Sequence, residues 1–177
     1  MYYDDETPTK ETETGSDELL SDDQLRLPEH ASILVRVHAV EAWLVRRRKE
    51  ASLEIGDVAL AMQEAMQSEP QETRPRRRER ERQELHLRHL QQDLVQARER
   101  LATYEEAQAL LEECIAHTSG ERVLVEYYLA LEDLVQSIGI DSETTGITDS
   151  TVPSPRLNAL ADVQHRVEHV GAPVEDD

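Results

Sequence analysis

Leu87, Leu90, Leu94, Ala97, Leu101, Tyr104, Gln108, Leu111 and Ile115 are spaced alternately three and four residues apart without a slip. That alternation is the heptad repeat of a helix that lays one seam along another helix. At 1.5 Å per residue the seam is about 40 Å long. It cannot satisfy itself, because a lone helix would leave an apolar stripe of that length in water. The chain is therefore constrained to helix-on-helix packing, within itself or with a partner.

The composition suits that constraint. Of 177 residues, 38% are hydrophobic and 32% charged, with one Trp and no Phe, which is thin material for a broad core but enough for narrow seams. The fold class predicted is all-α, an elongated coiled coil or helical hairpin bundle with disordered acidic termini. Of the net charge of −19, residues 1–30 carry −8 and residues 141–177 carry −6, leaving −5 for the middle. Acidic flanks of this kind read as solvated, self-repelling tails. Cys114 is alone, so an internal disulfide or a cysteine-rich zinc site is excluded and a reducing compartment is expected. The opening Met-Tyr-Tyr-Asp-Asp-Glu has none of the basic character of a signal or transit peptide. No apolar run approaches the roughly 18 residues that span a bilayer. A soluble intracellular protein, cytoplasmic or nuclear, is expected, with no membrane contact.

Residues 1–28 read as a disordered acidic tail and 29–67 as an amphipathic helical segment, with Ile33, Val37, Val40 and Leu44 on one face. Ala51, Ile55, Val58, Met62 and Ala65 resume that face after Arg46-Arg47-Arg48-Lys49. Those cations lie where the stripe passes, and Gly56 costs about 1 kcal/mol relative to Ala in a helix interior. A bend or break near residues 51–57 is expected. Residues 68–75, bracketed by Pro70 and Pro75, form a linker. Residues 76–140 then hold the long seam helix, ending near His117, and a second helix folded back after Thr118-Ser119-Gly120. Leu124, Tyr127, Tyr128, Leu131, Leu134 and Ile138 make the broad face of that second helix, a packing hub. Val123, Val125 and Leu129 widen it so far that burial on more than one side is expected. Gly139 is the expected stop. A Ser/Thr-rich linker at 141–153 leads to a short amphipathic helix at 154–171, opened by Ser154-Pro155, and 172–177 is a last acidic tail.

With Leu87 at position a, a parallel homodimer sets Asp93 against Arg98 and Arg100 against Glu105, both attractive. Gln108 is a polar layer at a central a position, a type that sets register. Partners are thus expected to be protein, either a second copy or other helical chains.

Catalytic patterns are weak. His165-Arg166-Val167-Glu168-His169 spells the H-x-x-E-H of inverzincin metallopeptidases, but nothing in the chain supplies the third ligand and substrate domain. His86 and His89 have no carboxylates at ligand spacing. Cys114 and His117 stand one turn apart, yet Glu112 and Glu113 disfavour a thiolate. No phosphate loop or dinucleotide fingerprint is present. No catalytic residue, cofactor, metal site or small-molecule substrate is expected. Two basic clusters, Arg46–Lys49 and Arg74–Arg82 with Arg76, Arg77 and Arg78 at its centre, point to phosphate contact as the alternative. Glu79, Glu81 and the overall negative charge oppose it.

The function expected is a non-catalytic coiled-coil adaptor or structural subunit of a multiprotein assembly. Charged residues at both Leu94 and Leu101 are expected to dissociate that assembly. Light scattering and circular dichroism check this, and an unchanged mass with unchanged helicity would refute the seam.

Overall fold

A computed structural model describes residue 27 and residues 31–67, 77–144 and 154–171. The expected tail at 1–28, Leu27 apart, lies outside these residues. So do the linker at 68–75, residues 145–153 of the second linker, and the tail at 172–177. The described residues form an all-helical fold of four helices: α1 (Ile33–Gln67), α2 (Arg77–His117), α3 (Arg122–Thr144) and α4 (Pro155–Gly171).

α1 and α2 lie side by side in opposite directions. Arg48 reaches Gln108 and Glu105, Arg100 is paired with Glu54, and Gln83 donates to the Ala65 carbonyl at 3.1 Å. At 41 residues, α2 is about 60 Å long. α1 is one continuous helix from Ile33 to Gln67, so of the bend or break expected at 51–57 the break does not occur. The cations that interrupt the stripe find partners instead of breaking it. The Arg47 guanidinium lies over the Trp43 ring at 5.1 Å, and Arg48 donates to Gln108 Oε1 at 2.6 Å. Gly56 then costs only its intrinsic penalty, too little to end a helix packed along its length.

The joint after α2 turns on Gly120, the one described glycine at positive φ, +69°. The Thr118 amide donates to the Cys114 carbonyl at 2.9 Å, and the Val123 amide returns to Gly120 at 3.3 Å. α3 runs five residues past Gly139 to Thr144. The helix continues through Gly139, so this glycine does not act as the terminator. α4 starts as its sequence predicts: Ser154 Oγ accepts the Arg156 amide at 3.2 Å, with Pro155 in the first turn.

The core sits at one end of the α1–α2 pair, where all four helices meet. α1 contributes Val37, Val40, Trp43, Leu44 and Ala51; α2 contributes Tyr104, Ala107 and Leu111. Val123, Leu124, Tyr127 and Leu131 come from α3, and Ala159, Leu160, Val163, Val167 and Val170 from α4. Trp43 meets Tyr104 edge-on, ring centroids 6.1 Å apart, the offset geometry that aromatic quadrupoles favour. The buried Tyr127 hydroxyl donates to the Ala107 carbonyl at 3.0 Å, so this polar tip inside the core is satisfied. Arg36 donates to the Val170 carbonyl at 3.1 Å, setting a cation at the C-terminal end of α4. Past Ala51 on α1 and before Leu90 on α2, the two helices continue together as an arm with no fully buried side chain.

Two outcomes follow. Gly56 has helical backbone and nothing within 4 Å of an added Cβ. Gly56→Ala should therefore raise stability by about 0.5–1 kcal/mol in urea titration. Burial, and after it Cys114, holds the Tyr127 phenol well above its ordinary range, and Tyr104 is raised chiefly by burial. The folded chain keeps protons that the unfolded chain releases. Stability is thus fully present below about pH 10 and falls as pH rises past it. Urea titrations across that range should show Tyr127→Phe flattening the fall.

Candidate functional site

The seam of α2 is largely spent inside the chain. Leu90, Ala97, Tyr104 and Leu111 are buried, Leu87, Leu94, Leu101 and Gln108 are half-buried, and Ile115 is exposed. The partner helix that the heptads demand is α1 along most of this length. Gln108 is a polar layer in the structure as well. It accepts from Arg48 on α1 and donates to Glu112 at 2.9 Å. Charges that a homodimer would pair across copies are engaged within one chain, Arg100 with Glu54 and Glu105 with Arg48 at 3.2 Å. Charge introduced at Leu94 and Leu101 therefore acts first on the packing of α2 against its own neighbours.

The hub divides. Leu124, Tyr127 and Leu131 are buried in the core, while Tyr128, Leu134 and Ile138 are half-buried around it. The double-sided burial expected for this helix is incomplete: Val125 stays 58% exposed and Leu129 48%. These two side chains, one turn apart, rim an apolar groove of about 260 Å³ between α3 and α4. Leu124, Tyr128, Val167 and Glu168 line the rest of it. The Tyr128 hydroxyl donates to Glu168 at 2.7 Å across the groove. That bond, then burial and the charges of Glu168 and Glu132, raises the phenol's pKa.

A second pair of open aliphatic side chains lies on the arm: Leu53 and Leu60, seven residues apart on one face of α1, are each 60% exposed. Met66 on α1 and Leu85 and Val95 on α2 are also exposed, each singly. The inward stripe of α1 dominates its periodicity and masks these outward side chains. The signal for them was the Leu53–Leu60 spacing itself. Trp43, one residue off the stripe at Leu44, was missed for the same reason.

The basic clusters are mostly engaged. Arg47 covers Trp43 and bonds Glu50 at 3.1 Å, Arg48 is held by Gln108 and Glu105, Arg46 is half-buried and Lys49 exposed. Arg77 begins α2, Arg78, Arg80 and Arg82 are exposed, and Arg76 lies outside the described residues.

Chemistry-bearing residues stay apart. His165 and His169 are exposed neighbours with ring centroids 6.5 Å apart, but Glu168 between them is occupied by Tyr128. His86 and His89 face solvent. Cys114 is half-buried, its thiol pushed up by burial and then by Glu113 and Glu126. His117 turns to the Glu113 carbonyl at 2.9 Å rather than to the thiol. Among the described residues no three His, Cys, Asp or Glu side chains gather to hold a metal. No helix there is long and apolar enough to cross a membrane.

Among the described residues the fold is all-α, and it leaves grouped aliphatic side chains open on α1 and α3. Comparison with protein families, curated proteins and solved structures finds no match.

Proposed function

We propose that this protein is a non-catalytic helical adaptor or structural subunit, joining protein partners through coiled-coil-like helix contacts. One observation supports the reading above others. After four helices have packed, large aliphatic side chains remain open at helical spacing, Leu53 with Leu60 on the arm and Val125 with Leu129 at the groove, in addition to Leu34, Val35 and Val45 in the first turns of α1. Single exposed leucines are ordinary, whereas grouped ones on a helix face mark contact surfaces. Helices of this kind dock by anchors at three-, four- and seven-residue spacing, the spacing that both pairs present. The exposed Arg78, Arg80 and Arg82 give the alternative, a dimeric nucleic-acid-associated regulator, its one foothold.

Photo-crosslinking residues placed at Leu60, Leu129 and, as a polar control, exposed Glu99 test the proposal in the protein's native cell. Discrete protein adducts at Leu60 or Leu129 but not at Glu99 are expected. Adducts at none of these positions, or nucleic-acid adducts from a probe at Arg78, would refute it.

A further inference from the structure

The α3–α4 groove carries more than apolar exposure, and it deepens the adaptor reading on which it rests. Its floor is the buried pair Leu124 and Val167, and its rim is the exposed pair Val125 and Leu129. At about 260 Å³ it is smaller than the roughly 300–1,000 Å³ of small-molecule pockets, and it is open along one side. That size suits one or two apolar side chains presented by a helix. Its charge has one sign. Glu168 forms part of the lining, and Glu132, one turn beyond Tyr128, lies close enough to raise that phenol. Among its described residues α3 carries Glu126, Glu132 and Asp133 against Arg122 alone, and Arg122 is paired with Glu126 at 3.2 Å.

We propose that this groove seats a basic amphipathic helix of a protein partner. Its apolar anchors would enter between Leu124, Leu129 and Val167, and its Lys or Arg residues would face Glu168 and Glu132. The chain's own flanks have the wrong sign for the seat. Residues 172–177, which follow α4, carry three carboxylates and no cation, and residues 1–30 carry a net charge of −8. Its own arginine-rich stretch opens α2, about 45 Å along the helix from Leu111, beside the arm rather than the groove.

The probe is a fluorescent Leu/Lys amphipathic peptide about five turns long, followed by anisotropy on the full chain, with its Leu/Glu counterpart as control. The Leu/Lys peptide should bind and the Leu/Glu peptide should not. Leu129→Glu then separates a seat from general attraction to an acidic protein. It adds a negative charge, so diffuse attraction predicts tighter binding, whereas a groove seat predicts affinity about tenfold weaker. Val125→Gln should weaken binding in the same direction without changing charge. Both side chains are half open to solvent, and unchanged circular dichroism melts verify that the fold survives.

Leu60→Glu, on the arm, should leave the peptide's affinity unaltered beyond a slight electrostatic gain. Equal binding of both peptides, tighter binding to Leu129→Glu, or loss on Leu60→Glu instead would each overturn the proposal. So would a chain that self-associates by light scattering and loses that association on Leu129→Glu, since the occupant would then be a second copy. Crosslinks at Leu60 are independent of this outcome. The groove can fail while the adaptor reading stands, and failure of both is recognisable as such.

Discussion

Where α1 lies along α2, Trp43 meets Tyr104 edge-on, Arg47 covers the Trp43 ring, and Arg48 bridges to Gln108. The register of two helices, each more than eight turns long, is set by this cluster of an aromatic pair and two cations. A slip by one helical turn would take Arg48 off its acceptors and slide Trp43 past Tyr104. The other packing builds on that register. Tyr104 approaches Asp162 of α4 at 3.5 Å, and one turn further along α2 the Ala107 carbonyl receives the Tyr127 hydroxyl of α3. Arg156 of α4 pairs with Glu106 at 2.8 Å on the same stretch. The C-terminal half of α2 is thus a common wall on which three helices are hung.

The energetic weight of the contacts differs. The exposed pairs, such as Arg122 with Glu126, contribute at most a few tenths of a kcal/mol each. Fully buried Leu44, Leu111, Leu131 and Leu160 each remove most of a side chain from water, worth about 1.5–3 kcal/mol apiece by area. Specificity comes from the polar contacts and stability from the aliphatic ones. A chain with no Phe relies on Leu, Val and Ala, with one Trp and two Tyr, to fill the core where the four helices meet.

Much of the helical pattern was legible from spacing. The stripe Val37, Val40, Leu44 and Ala51 is buried, and so are Leu160, Val163, Val167 and Val170 on α4. Heptad spacing also identified α2 as a helix that needs company. What spacing does not encode is who supplies it, because an a/d seam looks the same whether its complement is in the same chain or another. A bend or break is expected in α1 because the local pattern treats Arg47 and Arg48 as solvent-seeking, yet the helix runs on unbroken. Trp43 and Gln108 gave them partners that only the assembled helices bring near. The groove was half visible: Val125 and Leu129 stood out as surplus apolar surface on α3. Its acidic wall was not, since Glu168 arrives from a helix more than thirty residues downstream.

The arm also implies a gradient in how firmly the molecule is held. Among the described residues, 52–67 of α1 and the first turns of α2 pack chiefly on each other, with the Gln83 to Ala65 bond near the tip. The body closes every helix against at least two neighbours. Opening the tip breaks few buried contacts, so backbone amides there should exchange through local excursions that leave the body intact. The chain thus joins a persistent scaffold to a fraying end, and a partner gripping that end would order it without altering the core.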